Sequence, residues 1–233
     1  LQWVPFFSRL REKTIWCRIK NKSPQKGLEA SLLKAPIVPV MVIENVKDAV
    51  PLARALVKGG LPVLEITLRT EAALDCIKAI VAEVEGAIIG SGTVLTPKQL
   101  RQSQKAGCVF AVSPGATGKL LSAADDEDIS LLPGAATASE AMALLEWGYA
   151  LQKFFPAEAA GGALYLASLS SPLPQIKFCP TGGITPELAP KYLKLSNVIT
   201  LGGSWMAPKA MVQEGKWDEI EKLARAAAGL VKK

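Results

Sequence analysis

The sequence predicts a single α/β domain of the (β/α)8 class, a TIM barrel with an extra helical segment at its N-terminus. Eight short apolar or β-branched runs alternate with helical patterns about 20–25 residues apart, the rhythm of βα repetition. The 233 residues fit one barrel of roughly 250 residues as well as any two-domain split. No Gly-x-Gly-x-x-Gly turn follows the first strand, where an open dinucleotide-binding sheet would carry it. At 49% hydrophobic and 21% charged residues, the composition excludes a disordered or fibrous chain.

The elements follow in order. Residues 1–34 are expected to form a helical segment capping a barrel that occupies 35–233. Strands are predicted over 37–43, 63–68, 87–90, 109–112, 129–132, 151–155, 176–179 and 198–201. Helix starts are read at Thr70 before Glu71, Thr96 before Pro97 and Thr185 before Pro186, each a capping hydroxyl ahead of a residue suited to the first turn. Helix ends are read at Gly59-Gly60, Gly86, Gly107 and Gly148. Helical patterns at 24–34 and 217–232 lie outside the repeats and are expected to close the barrel's ends.

The chain contains no histidine, which excludes Ser-His-Asp and Cys-His nucleophile systems, His-ligated zinc and imidazole proton shuttles. Catalysis must use Lys, Glu, Asp, Tyr, Cys or a cofactor. The net charge of +6 belongs entirely to residues 1–34, where eight basic residues from Arg9 to Lys34 face only Glu12 and Glu29. A solvated basic helix or arm is favoured over contact with an acidic partner or a nucleic acid backbone, since no binding motif or aromatic interleaving accompanies it, and no nucleic-acid partner is expected. Cys17, Cys76, Cys108 and Cys179 show no Cys-x-x-Cys spacing, so a reducing cytosol is expected. No apolar run reaches the roughly 18 residues of a spanning helix, and charges break the stretch 1–20 where a secretory leader needs an apolar centre. No membrane role is expected.

In such barrels the working groups sit at the C-terminal ends of strands. Period-two alternation in the second strand puts Val63, Glu65, Thr67 and Arg69 on one face and Leu64, Ile66 and Leu68 on the other. A polar face turned inward suits a site at the barrel's mouth; a structural Glu65–Arg69 ion pair is the alternative. The sixth strand embeds Lys153 between Gln152 and Phe154-Phe155. Burial disfavours the charged form of an ammonium, and a neutral amine attacks ketones to form an imine that accepts the electrons of a breaking C–C bond. The alternative is a lysine that snorkels to water. Thr181-Gly182-Gly183 and Gly202-Gly203-Ser204 follow the seventh and eighth strands, where barrels frequently bind phosphate through bare N–H groups. Gly90-Ser91-Gly92-Thr93 forms a small-residue turn suited to a carboxylate, and Pro114, which donates no hydrogen bond, is assigned an apolar wall.

Six motifs now stand in order: Leu64-Glu65-Ile66-Thr67-Leu68-Arg69-Thr70, Gly90-Ser91-Gly92-Thr93-Val94-Leu95, Ser113-Pro114-Gly115, Lys153-Phe154-Phe155-Pro156-Ala157-Glu158, Phe178-Cys179-Pro180-Thr181-Gly182-Gly183-Ile184 and Gly202-Gly203-Ser204-Trp205. Together, from about residue 37 to 210, they closely resemble the 2-keto-3-deoxy-6-phosphogluconate aldolases. The resemblance implies a class I aldolase on a (β/α)8 barrel, a cytoplasmic homotrimer of the Entner–Doudoroff route. The implied reactions yield pyruvate with glyceraldehyde 3-phosphate, and pyruvate with glyoxylate from 4-hydroxy-2-oxoglutarate. It implies that Lys153 forms the Schiff base and that Glu65 moves protons through a water. Arg69 and Thr93 would hold the pyruvate carboxylate with the Gly92 backbone nearby, and Phe155 would wall the imine. Thr181, Gly182, Gly183, Gly203 and Ser204 would face the substrate's phosphate end. No cofactor and no metal is expected, and the expected partner is a phosphorylated 2-keto acid. Residues 161–172 lack the lysine and Gly-Pro pair the resemblance leads one to expect. An aldolase for an epimeric keto acid, such as the galactonate analogue, is a rival reading. So is a barrel without catalysis that binds an acidic partner through its basic N-terminus.

Overall fold

The structure, a computed structural model, describes residues 25–230. The basic stretch from Arg9 to Lys22, Cys17 and most of the expected capping segment therefore lie outside the described residues. Within them, α1 (Leu28–Leu32) precedes β1 (Ile37–Met41), α2 (Val46–Lys58), β2 (Val63–Thr67), α3 (Ala73–Glu83), β3 (Ile88–Gly92), α4 (Pro97–Lys105) and β4 (Phe110–Val112). Next come α5 (Gly118–Asp126), β5 (Ser130–Leu132), β6 (Gly134–Ala135), α6 (Ala138–Glu146), β7 (Leu151–Phe154), α7 (Gly162–Ser168), β8 (Lys177–Pro180), α8 (Ala189–Leu193) and β9 (Leu201–Gly203). Helices α9 (Lys209–Gln213) and α10 (Trp217–Ala228) end the described chain.

All strand pairings are parallel, as short strands joined by helical crossovers require. One ladder runs β5-β4-β3-β2-β1-β9 and a second runs β6-β7-β8. The two meet at both ends. Pro133, between β5 and β6, accepts a hydrogen bond from the Lys153 N–H at 2.8 Å. On the other side single bridges join Phe178 to Val198 and Thr181 to Gly202. The result is a curled parallel-strand α/β fold.

The alternation predicted for β2 holds. Leu64 and Ile66 pack with helix residues such as Leu52, Leu56, Ile77 and Ile80 in the outer core. Val63 joins Val38, Phe110, Val112, Leu132, Leu151, Cys179 and Ile199 in a separate inner cluster. Leu28 and Leu32 of α1 complete that cluster. The Gln25 amide donates to the carbonyls of Leu131 and Leu151 at 3.0 and 2.6 Å and accepts from the Leu151 N–H at 2.8 Å.

Several expected boundaries are corrected. The fifth strand is split by Pro133, which supplies no N–H to a ladder. The third runs on through Ser91 and Gly92, because Thr67 pairs with Gly92. The eighth shifts from 198–201 to Leu201–Gly203: Ile199 donates to Phe178 at 2.9 Å, whereas Leu201 has crossed to Pro36 at 3.0 Å. Gly202 and Gly203 are thus strand residues and not a loop. Thr96 caps α4 as expected, accepting from the Gln99 N–H. Thr70 and Thr185 cap no helix; the Thr70 hydroxyl donates to the Ile43 carbonyl at 2.7 Å and that of Thr185 to Glu187 at 2.6 Å.

Candidate active site

At the C-terminal ends of the strands lies a cavity of about 560 Å3. Its walls include Glu65, Arg69, Thr93, Pro114, Lys153, Phe155, Thr181, Gly182, Gly183, Gly203 and Ser204, every residue expected there except Gly92. These positions come from six strand ends spread over about 140 residues of chain, and parallel register brings them together.

Lys153 and Glu65 meet inside the cavity. Register sets Lys153 beside Cys179 and Gly134, and Glu65 beside Val40 and Gly90. The Lys153 ammonium donates to Glu65 Oε1 at 3.3 Å, and the two side chains are only 6% and 4% exposed. Both alternatives from the sequence are thereby corrected. Lys153 does not snorkel to water, and Glu65 pairs with Lys153, not with Arg69. Nor is the lysine's setting purely apolar, since a carboxylate faces it. Nζ also lies 5.3 Å from the Phe155 ring centroid, within cation–π range. Burial pushes the neighbouring Cys179 thiol up to about 12, so it stays protonated at neutral pH.

Arg69 Nε donates to Thr67 Oγ1 at 3.2 Å, and that hydroxyl donates to the Met41 carbonyl at 2.9 Å. The hydrogen bond fixes the guanidinium on one side, and Arg69 lines the cavity. Thr93 adopts φ +57°, a left-handed conformation that a β-branched residue rarely takes, and lines the cavity there. Gly92 acts differently from expectation: it does not line the cavity, and a Cβ at this position would fall 2.2 Å from Glu65 Oε1. Its bare backbone makes room for the carboxylate.

The far end is built by two turns. Gly182 and Gly183 have φ of +104° and +77°, and a Cβ on Gly202 would strike Thr181 Oγ1 at 2.2 Å. The N–H groups of Ala157 and Glu158 donate to the carbonyls of Thr181 and Gly182 at 2.8 and 3.1 Å. The Tyr192 hydroxyl in turn donates to the Glu158 carboxylate. Among the described residues, the N–H groups of Gly183 and Ser204 have no protein acceptor, which leaves them available to an anion. No residue of 161–172 lines the cavity.

The sequence reading missed the end of β1 and the helix after β9. Glu44, Asn45 and Asp48, with Lys209 and Gln213 of α9, line the outer cavity. The signal was present, because Glu44 stands at a strand end like the others.

The family model described as KDPG and KHG aldolase matches residues 28–223. This chain belongs to that family. Among relatives of the KDPG and KHG aldolase family, the 2-dehydro-3-deoxy-phosphogluconate aldolase of Pseudoalteromonas atlantica is 54% identical over 194 residues, covering 83% of this chain and 90% of its own. The KHG/KDPG aldolase of Escherichia coli K12 is 48% identical over 206 residues, covering 88% and 97%. Among solved structures, the KDPG aldolase of Legionella pneumophila, with pyruvate captured as a covalent carbinolamine, superposes with TM-score 0.85 at 42% identity, covering 90% of this chain and 100% of that one. The Zymomonas mobilis ATCC 29191 enzyme superposes with TM-score 0.82 at 48% identity, covering 88% and 97%.

Proposed function

We propose that this protein is a class I aldolase that cleaves 2-keto-3-deoxy-6-phosphogluconate to pyruvate and glyceraldehyde 3-phosphate, with Lys153 as the Schiff-base residue and Glu65 as the proton carrier. The observation that carries this reading is the buried Lys153–Glu65 contact at 3.3 Å inside a cavity open at the strand ends. Glu65 takes a proton from the Lys153 ammonium, and the freed amine adds to the C2 ketone to give a carbinolamine. Loss of water leaves a protonated imine. A base then removes the C4 hydroxyl proton, the C3–C4 bond breaks, and its electron pair neutralises the iminium to give an enamine as the aldehyde departs. Protonation at C3 and hydrolysis release pyruvate and regenerate the amine. Glu65, acting through a water, serves these proton transfers in turn. The chemistry calls on no metal and no cofactor.

Arg69 and Thr93 hold the keto-acid carboxylate, Phe155 and Pro114 wall the reacting carbons, and the Thr181–Gly183 and Gly203–Ser204 turns receive the phosphate. The cavity also admits 4-hydroxy-2-oxoglutarate, which yields pyruvate and glyoxylate by the same steps. The relative named for both substrates supports this.

The same proposal extends to architecture. The described part of residues 35–233 forms one (β/α)8 barrel, β5 and β6 together counting as its fifth strand, and the described part of the N-terminal segment, residues 25–34, caps its N-terminal end. The packing of Leu28 and Leu32 against residues at the strands' beginnings supports the cap. The protein works as a cytoplasmic homotrimer. The likeness to a cage designed by fusing symmetric oligomeric domains, with TM-score 0.70 at 28% identity, supports an oligomer. Among the described residues no helix is long and apolar enough to cross a membrane, and Cys76, Cys108 and Cys179 are unpaired thiols, as a reducing compartment allows. Pyruvate release from the phosphorylated substrate, followed with and without EDTA, tests the activity. Equal turnover in both is expected; no pyruvate from either, or strong inhibition by EDTA, would reject the reading.

A further inference from the structure

We infer that Lys209, held at the cavity mouth by Glu44, selects phosphorylated over unphosphorylated substrates by pairing with the substrate phosphate. This inference rests on the aldolase reading and adds a residue that neither the motifs nor the expected site contained.

A phosphorylated 2-keto acid carries a carboxylate at one end and a doubly ionised phosphate at the other. Among the described residues, the cations lining the cavity are Arg69, Lys153 and Lys209. Arg69 serves the carboxylate, and the charge of Lys153 is spent on the imine and faces Glu65. The glycine turns offer N–H dipoles to the phosphate but no formal charge. Lys209 is left to supply it. It opens α9 five residues beyond Ser204, so it enters the cavity from the same segment that ends in the phosphate turn.

Its present partner fits a resting state. Lys209 Nζ donates to Glu44 Oε1 at 2.7 Å, with the side chains 69% and 46% exposed. Exposed ion pairs of this kind are weak, so exchanging the Glu44 carboxylate for a dianionic phosphate costs little and gains a stronger charge partner. None of the α9 residues is buried, so the helix itself offers little resistance to such an adjustment. Glu44 and Asp48 lie at the same mouth. Without Lys209 an approaching phosphate would meet net negative charge. A substrate lacking the phosphate gains nothing from Lys209, which makes the residue specific to one substrate class.

The test compares kcat/KM for 2-keto-3-deoxy-6-phosphogluconate and for 4-hydroxy-2-oxoglutarate in the full chain and its variants. Lys209→Met is expected to lower the ratio of the first to the second about tenfold and to flatten its dependence on ionic strength, while Lys209→Arg restores both. Glu44→Gln is expected to raise the ratio by freeing the lysine and removing a repelling carboxylate. A Lys209→Met ratio within twofold of the parent overturns the inference while leaving the aldolase reading intact. Parent protein that turns over neither substrate and traps no pyruvate on Lys153 overturns both.

Discussion

Lys153 and Glu65, 88 residues apart in the chain, meet at 3.3 Å as a buried ion pair on strands β7 and β2. Two buried charges satisfy each other here, and in the proposed mechanism each enables the other's chemistry. Removing one member exposes how the work divides. Glu65→Gln keeps the volume but removes the proton acceptor. Turnover is expected to fall by about 10²–10⁴-fold while slow imine formation with pyruvate persists. Breaking a buried pair by deleting one partner costs about 3–5 kcal/mol, so a lowered thermal midpoint accompanies the loss. Unchanged turnover would remove Glu65 from the mechanism.

Gly92 bears on the same carboxylate through its missing side chain. Gly92→Ala places a methyl where Glu65 Oε1 now sits, 2.2 Å from the new Cβ. A displacement of about 1 Å at a reacting group costs on the order of 100-fold in rate, and kcat is expected to fall by that order. Turnover within threefold of the parent would mean that Glu65 relocates without consequence.

Thr93 holds a strained backbone conformation where it lines the cavity. At φ +57° glycine is relaxed and threonine is not. Thr93→Gly is expected to gain about 1 kcal/mol in denaturant unfolding while raising KM through loss of the carboxylate contact. A destabilised variant, or an unaltered KM, would contradict this assignment.

Burial of thiols contributes a loss of stability at alkaline pH. Burial pushes the Cys108 and Cys179 thiols from their usual value of 9.0 up to about 12. Below about pH 9 the thiols are neutral in both folded and unfolded chains and cost nothing. Between about pH 9 and 12 only the unfolded chain ionises, so stability falls as pH rises, by about 1.4 kcal/mol per pH unit for each thiol. Urea unfolding from pH 8 to 11 is expected to show this decline, and Cys108→Ala to make it shallower. An identical slope in the variant would reject the cause.

The sequence disclosed the chemistry more fully than the geometry. Glu65, Thr67 and Arg69 were legible because alternation in a strand is a strict period of two, and Lys153 because an ammonium in an apolar strand, followed by two aromatics, is either buried for chemistry or snorkels to water. Whom each residue faces was not legible. Pairing of Glu65 with Lys153, and not with the sequence-near Arg69, is decided by how strands β2 and β7 face each other in the folded sheet. Thr70 and Thr185 look like caps in sequence, yet their hydroxyls bond elsewhere because the chain enters those helices two to three residues later. Gly92 and Gly202 read as loop glycines but are strand residues whose missing Cβ makes room for Glu65 and Thr181. Glu44 stands at a strand end and was legible by that rule, whereas Lys209, on a short exposed helix, carries no pattern until the fold places it at the same mouth.

The most direct measurement is borohydride reduction of the protein in the presence of pyruvate, followed by peptide mass mapping. A single stable adduct on Lys153, absent from Lys153→Ala, is expected. An adduct on another lysine, or none in a folded sample, would contradict imine chemistry at the Lys153–Glu65 pair.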